Sequence, residues 1–143
     1  MGFLNKYKRE IIIIALIVGV YLLLRLLTLT QLPIFTDEAI YMRWAQIAKN
    51  DASWRFISLT DGKQPLYIWL SIIAMRFISE PLIAGRLVSV IAGVITMIGL
   101  FFLGKEIFKN RWVGIVSAVL YALFPFALVY DRMALYDTLV VHF

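Results

Sequence analysis

The chain has 143 residues, of which 62% are hydrophobic and only 16% are charged, and its formal net charge is +5. This composition and a mean hydropathy of +0.87 exclude an ordinary soluble domain and indicate a multi-spanning membrane protein. The absence of cysteine excludes disulfides, zinc-thiolate sites and thiol nucleophiles.

The first predicted element is an apolar run over residues 11–30. About 20 apolar residues are needed to cross roughly 30 Å of hydrocarbon, so this run is long enough to span a bilayer. A secretory signal peptide would be followed by a cleavage site of small residues, and no such site follows this run. The run therefore predicts a retained first transmembrane helix.

The segment 31–81 is predicted to form a long loop that contains an amphipathic helix over about 37–49. Thr36 is a candidate N-cap for this helix. Asp37 and Glu38 lie in its first turn, where the helix dipole favours acidic side chains. We expect the helix to lie on the membrane surface.

A second apolar run, 66–79, is too short for a comfortable crossing and has Arg76 near its end. It predicts an interfacial or re-entrant helix that begins close to Pro65. Asp61 and Gly62 are typical of a turn between this helix and the preceding one.

Further spans are predicted over 82–104 and 113–130, and the start of another over 138–143. Pro125 should kink the span 113–130 near its end. Small residues at every fourth position of the span 82–104 should allow close helix packing: Gly85, Ser89 and Gly93. Together the elements predict an all-α, multi-pass transmembrane fold, organised as a single incomplete module over 1–143.

The distribution of basic residues predicts the orientation of this module. Segments 1–10 and 105–111 carry six basic residues and two acids, whereas 31–81 carries five basic residues in a much longer stretch. The positive-inside rule places the N-terminus and 105–111 in the cytoplasm and 31–81 outside. The helix 66–79 then does not cross, and Asp37 and Asp131 reach the same extracytoplasmic face. The cytoplasmic segments account for most of the net charge, so no nucleic-acid partner is implied.

Four short motifs follow one another along the chain in an order that resembles a known enzyme family. Thr36-Asp37-Glu38-Ala39-x-Tyr41 comes first, followed by Asp61-Gly62-Lys63-Gln64-Pro65-Leu66-Tyr67-x-Trp69-Leu70, Ala84-Gly85-Arg86-Leu87 and Pro125-x5-Asp131-Arg132-x4-Asp137. This order resembles the N-terminal part of membrane glycosyltransferases with the GT-C fold, in particular the protein O-mannosyltransferases and the lipid A aminoarabinose transferases. Nearly the whole chain takes part in the resemblance.

The resemblance implies transfer of a sugar, with inversion, from a polyprenyl-phosphate-linked donor to a hydroxyl or phosphate of a protein or glycolipid acceptor. The resemblance also implies that this transfer occurs at the extracytoplasmic face of the cell membrane. Such a reaction needs a base for the acceptor and cations for the departing phosphate. Asp37 matches the family's acidic residue in the first outer loop and is the expected general base, with Glu38 as a tuning neighbour. Lys63 matches the family's Lys-Pro-Pro element, in which the lysine contacts phosphate.

The remaining candidate residues are expected to bind the substrate. Arg132 is a second phosphate candidate, and Arg86 lies in a Gly-Arg-Leu context that also matches the family. Asp131 and Asp137 compete for the acidic role of the second outer loop, with a slight preference for Asp137. Gly62 stands where the aminoarabinose transferases have an acid that can help to hold a metal, so no metal or other cofactor is predicted.

Simpler interpretations accompany these roles. Asp37 and Glu38 could merely stabilise a helix terminus. Arg25, Arg76 and, with less support, Arg86 are expected to snorkel towards the headgroups. His142 has no surrounding ligand set and no expected role.

The alternative to an enzyme is a small membrane protein that binds a polyprenyl lipid or a larger subunit without catalysis. A transporter is less favoured, because the spans 82–104 and 113–130 lack charged residues at their centres. The apolar segment at the C-terminal end predicts a truncated enzyme with little transfer activity in isolation.

Overall fold

The computed structural model describes residues 2–27 and 29–140, and the side chains of 8–27 and 29–139. Within this part of the chain there are seven α-helices, one 3-10 helix and no β-strand, so the all-α prediction is confirmed there. The α-helices are α1 (Gly2–Leu26), α2 (Thr36–Asn50), α3 (Leu66–Ala74), α4 (Pro81–Phe108), α5 (Arg111–Leu123), α6 (Pro125–Tyr130) and α7 (Asp137–Val140), and the 3-10 helix covers Ala52–Asp61.

One described helix, α4, is long and apolar enough to cross a membrane by length and composition alone, and α5 is apolar but shorter. The first predicted span corresponds to α1, which ends at Leu26 rather than near residue 30. Large apolar side chains on the outer faces of these helices remain exposed, among them Leu16, Ile95 and Leu120. An apolar outer surface of this kind is typical of helices that face lipid or other helices.

The loop between the first two long helices is more helical than predicted. Helix α2 begins at Thr36, and Phe35 rather than Thr36 occupies the N-cap position. The Glu38 carboxylate reaches back and accepts the Phe35 N–H at 3.0 Å, which is half of a capping box. The prediction of Thr36 as the cap was therefore wrong by one residue, because the side chain that satisfies the helix terminus is Glu38.

A 3-10 helix replaces the turn expected between α2 and α3. Asp51 caps this helix by accepting the Ser53 N–H at 2.9 Å. Gly62 ends it at a φ of 68°, in the left-handed region that glycine adopts without strain. Helix α3 then ends at Ala74, five residues before the predicted boundary, and at nine residues it is far too short to cross a bilayer.

Helices α4 and α5 form an antiparallel hairpin. Pro81 occupies the first turn of α4, where backbone N–H groups make no hydrogen bond within the helix, so the lack of an N–H on proline costs no hydrogen bond. Asn110 opens α5 by accepting the Trp112 N–H at 2.9 Å. The two helices approach closely at Gly104 and Gly114 because neither has a side chain there: a Cβ on Gly104 would lie 3.3 Å from the Gly114 Cα.

The predicted span 113–130 is divided by proline. Helix α5 ends at Leu123, Phe124 is extended, and Pro125 starts the six-residue helix α6. A proline cannot donate a backbone hydrogen bond, so the break lies where the kink was predicted. The chain then turns through residues 131–136 into α7.

Two apolar clusters hold these elements together, one around α2, α3 and the start of α4, the other between α1, α4 and α5. The beginning of α2 meets the 131–137 segment at one end of the bundle, where the Glu38 carboxylate contacts the Ala134 amide. At the other end, the Lys105 ammonium lies 2.6 Å from the Glu10 carboxylate. The start of α2 therefore contacts the 131–137 segment, and the first half of α1 contacts the end of α4.

Candidate functional site

A buried ion pair joins the start of α2 to the start of α4. The Arg86 guanidinium donates from Nε to Glu38 Oε1 and from Nη2 to Glu38 Oε2, both at 2.9 Å. Both side chains are essentially inaccessible to solvent. The planar fork of arginine matches the two carboxylate oxygens, which makes this a bidentate and therefore strongly oriented pair.

The Glu38–Arg86 pair also binds the backbone of two other segments, the loop before α2 and the segment after α6. Arg86 Nη1 donates to the Leu29 carbonyl at 2.6 Å and, more weakly, to that of Leu32. Glu38 Oε1 accepts the Ala134 N–H at 2.6 Å. Glu38 and Arg86, expected to tune the base and to bind the substrate, are therefore saturated by protein groups and lie beneath the surface.

Burial by itself would raise the pKa of Glu38, but the hydrogen bonds outweigh it. Arg86 and the two backbone amides of Ala134 and Phe35 all donate to the ionised carboxylate, and together they lower the pKa of Glu38 below its ordinary value. Glu38 is thus held as an ionised carboxylate whose oxygens are occupied by protein donors, and its lowered pKa makes it a weak base.

A second buried pair lies deeper in the bundle, between Arg25 and Asp131. Arg25 Nη2 is 3.3 Å from Asp131 Oδ2, and Arg25 Nη1 donates to the Ala122 carbonyl at 2.7 Å. The hydroxyls of Tyr21 and Tyr121 donate to the same carboxylate at 2.8 and 3.1 Å. The expectation that Arg25 snorkels is wrong, since its side chain is fully buried and paired.

The row of small residues on α4 makes room for these pairs. A Cβ on Gly85 would lie 2.5 Å from Met42 Sδ, and one on Gly93 would collide with the Tyr21 hydroxyl. Ser89 Oγ is 3.1 Å from the Thr138 hydroxyl. The predicted stripe therefore packs against α1, α2 and the 131–138 segment.

A third group of charged side chains surrounds Lys63, and unlike the two buried ion pairs it is accessible to solvent. The Lys63 ammonium is 2.8 Å from Asp61 Oδ2. It also lies over the rings of Tyr41 and Tyr136, at 4.8 and 5.5 Å from their centroids. Lys63, Tyr136 and Asp137 are half-buried, whereas Asp61 is exposed.

Asp37 and Asp137 belong to the same neighbourhood. Burial raises the pKa of the Tyr41 hydroxyl, the Lys63 charge lowers it, and the Asp37 and Asp137 carboxylates raise it further. A hydrogen bond with Asp137 raises the pKa of Tyr136. Lys63 thus lies against the Tyr41 ring, and Asp37 and Asp137 lie near enough for their charges to act on the Tyr41 hydroxyl.

The other predicted residues lie apart from this cluster or are not described. Arg132 is half-buried and its Nε donates to the Leu128 carbonyl at 2.5 Å, one turn back along the chain. His142 and the last residues of the predicted span 138–143 lie outside the described residues. In the described part of the chain no three His, Asp or Glu side chains gather as metal ligands would, and the absence of a metal stays a prediction.

Sequence reasoning did not single out Tyr41 and Tyr136 as part of the site. The available signal for Tyr41 was its position one helical turn after Asp37, which places both side chains on the same face of α2. Tyr136 directly precedes Asp137, but nothing local in the sequence indicates that its ring faces Lys63.

Comparison with known protein families adds to this geometry. The family model described as dolichyl-phosphate-mannose-protein mannosyltransferase matches residues 62–143, which is more than half of the chain. The chain belongs to this family. No curated protein and no solved structure matched it.

Membership of the mannosyltransferase family supports the resemblance to GT-C-type enzymes and a membrane-associated glycosyltransferase activity. The matched region contains Lys63, Arg86, Asp131 and Asp137, whereas Asp37 and Glu38 precede it. The family implies a lipid-linked sugar donor and a protein acceptor in general terms.

Proposed function

We propose that the chain takes part in the transfer of a sugar, with inversion, from a polyprenyl-phosphate-linked donor to an acceptor hydroxyl or phosphate. The observation that carries the proposal is the gathering of Asp37, Lys63 and Asp137 around Tyr41 at one end of the bundle. A cation for phosphate lies against that tyrosine and two carboxylates for proton transfer lie in its neighbourhood, in a chain of the mannosyltransferase family.

The proposed reaction is a single displacement at the anomeric carbon. The acceptor oxygen forms a bond to that carbon as the bond from the carbon to the phosphate oxygen breaks, and the electron pair leaves with the phosphate. Asp37 accepts the acceptor's proton, because it is half-buried and carries no salt bridge among the described residues. Lys63 stabilises the negative charge that develops on the leaving phosphate.

The other predicted residues receive positioning roles in this proposal. Glu38 and Arg86 hold the start of α2 against Ala134, and thereby keep the first turn of α2 next to the 131–137 segment. Asp131 is engaged by Arg25, so the acidic role in the second loop falls to Asp137. Arg132 stays a candidate for the donor phosphate.

An apolar groove supports a polyprenyl-linked donor. The groove has a volume of ≈ 770 Å³ and lies between α3 and α4, with Leu66, Phe77, Ile91, Leu103 and Leu139 among its lining residues. Leu66 follows Lys63 by three residues and Leu139 follows Asp137 by two, so the groove starts beside the charged cluster. From Leu87 to Leu103, α4 gives it a length of about 24 Å at 1.5 Å per residue.

Substitution of Asp37 tests the catalytic role. In membranes where the wild-type chain gives measurable transfer of radiolabelled mannose from polyprenyl-phosphate-mannose, Asp37→Asn should lower the rate about 10²- to 10⁴-fold, because a general base contributes that much. Asp51→Asn is the matched control, since asparagine can also cap the 3-10 helix. An undiminished rate for Asp37→Asn would refute the role of Asp37 as base.

The groove also suits the alternative function, a membrane protein that binds a polyprenyl lipid without catalysis. The two functions differ in their response to the same substitution: a binding protein retains its lipid affinity and its function in Asp37→Asn.

The proposed orientation places the cluster outside the cell and both the N-terminus and residues 105–111 in the cytoplasm. Because the chain has no cysteine, single cysteines can report on it: we expect Arg55→Cys to react with a membrane-impermeant maleimide in intact cells and Glu106→Cys to be protected. The reverse pattern would contradict the proposed site.

A further inference from the structure

Two tyrosines enclose the Lys63 ammonium on its inner side. Its distances to the Tyr41 and Tyr136 ring centroids, 4.8 and 5.5 Å, are both within the roughly 6 Å over which a cation is attracted to an aromatic face. The two rings stand at 87° to each other with centroids 5.8 Å apart, so their faces form a corner. The ammonium lies in this corner.

The corner is rigid because Tyr41 is part of the apolar core. Its side chain is only 1% exposed and packs against Trp44 and Tyr67. The Tyr67 hydroxyl in turn donates to the Gly85 carbonyl on α4 at 2.8 Å. The backbone of Lys63 is also held, since its N–H donates to the Ser58 carbonyl at 3.0 Å. A side chain as flexible as lysine would otherwise lose considerable entropy on binding a ligand.

The outer side of the ammonium is occupied by a replaceable anion. Asp61 Oδ2 lies 2.8 Å from Lys63 Nζ, and the Asp61 side chain is 56% exposed. An exposed carboxylate of this kind binds its partner only weakly. An incoming phosphate oxygen at the position of the Asp61 carboxylate would therefore meet a preoriented cation.

We propose that Tyr41 and Tyr136 are positioning residues that hold the Lys63 ammonium in an aromatic corner, and that Asp61 is a resident counter-ion which the phosphate of a lipid ligand displaces. This inference rests on the proposed phosphate contact of Lys63. It assigns opposite effects to neighbouring residues: the tyrosines favour phosphate binding, and Asp61 competes with it.

The test uses the full chain in lipid nanodiscs, with decaprenyl phosphate and decaprenol as probes that differ only in the phosphate. Wild type should bind decaprenyl phosphate more tightly than decaprenol. Asp61→Asn should tighten the binding of decaprenyl phosphate by about two- to five-fold, because the loss of an exposed ion pair removes a competitor of that strength. Asp51→Asn is the control and should leave the affinity unchanged.

The aromatic corner is tested at Tyr136, which is only half-buried. Tyr136→Leu should weaken the binding of decaprenyl phosphate by about two- to five-fold, whereas Tyr136→Phe, which keeps the aromatic face, should bind as wild type does. Neither substitution should change the affinity for decaprenol, and a structural defect would change it.

The outcomes separate the two proposals. If wild type does not prefer decaprenyl phosphate to decaprenol, the proposed donor class is refuted. If it does, and Asp61→Asn fails to tighten the binding or Tyr136→Phe is as weak as Tyr136→Leu, the inference about the aromatic corner and its counter-ion is refuted while the proposed function stands.

Discussion

Substitution of Arg86 by methionine should destabilise the fold strongly. Methionine fills much of the space of arginine but leaves the Glu38 carboxylate buried with only the Phe35 and Ala134 amides as donors. The Leu29 carbonyl also loses its donor. Removing one partner of a buried ion pair costs about 3–5 kcal/mol, because the remaining charge is left uncompensated.

The magnitude is large enough to measure by thermal unfolding. For a chain of this length, about 3–4 °C of melting temperature is lost per kcal/mol, so Arg86→Met should melt roughly 10–20 °C below wild type. Far-UV circular dichroism of the purified chain in detergent gives the melting curve. Because the two residues act together, the double variant Glu38→Gln/Arg86→Met should lose less stability than the sum of the single variants.

A control removes an exposed lysine directly after the opposite end of α4. Lys109 pairs with Glu106, and both side chains are largely exposed, at 79% and 69%. Lys109→Met should therefore melt close to wild type. Equal melting temperatures for Arg86→Met and Lys109→Met would refute the reasoning, because they would mean that the Glu38–Arg86 pair does not contribute more than a surface pair.

Three further predictions concern packing, pH and capping. Gly93→Val should lower the melting temperature by forcing Tyr21 away from α4, whereas Gly99→Val has open space around its Cβ and should be tolerated in circular-dichroism melts. The pKa of Glu38 is lowered in the folded state, so its ionised carboxylate stabilises the fold above the ordinary pKa of 4.5, and this stabilisation is lost as the pH falls through the folded pKa. Melting curves recorded at different pH values should therefore show less acid sensitivity for Glu38→Gln than for wild type. Asn110→Ala should cost about 1 kcal/mol in denaturant titrations, because it removes the cap of α5.

Local features of the sequence predicted most of the helical architecture. The apolar runs predicted α1, α4 and α5, and Pro125 predicted the break after α5 because proline acts on its own backbone and on the preceding turn. Boundaries were less accurate where a distant contact decides them. Helix α2 begins at Thr36, and the Glu38 side chain, oriented by Arg86 48 residues away in the chain, accepts the N–H of the N-cap residue Phe35.

Of the candidate site, the sequence determined which residue types are available and that the start of α2 and the 131–137 segment could meet. Only the tertiary structure decided which charges are already paired. It engages Glu38 with Arg86 and Asp131 with Arg25 in buried pairs, and it places Lys63, with its exposed partner Asp61, against the Tyr41 ring. The physical reason is that a charge buried among helices must be compensated by a partner, and these partners lie 48 and 106 residues away, where no local pattern identifies them.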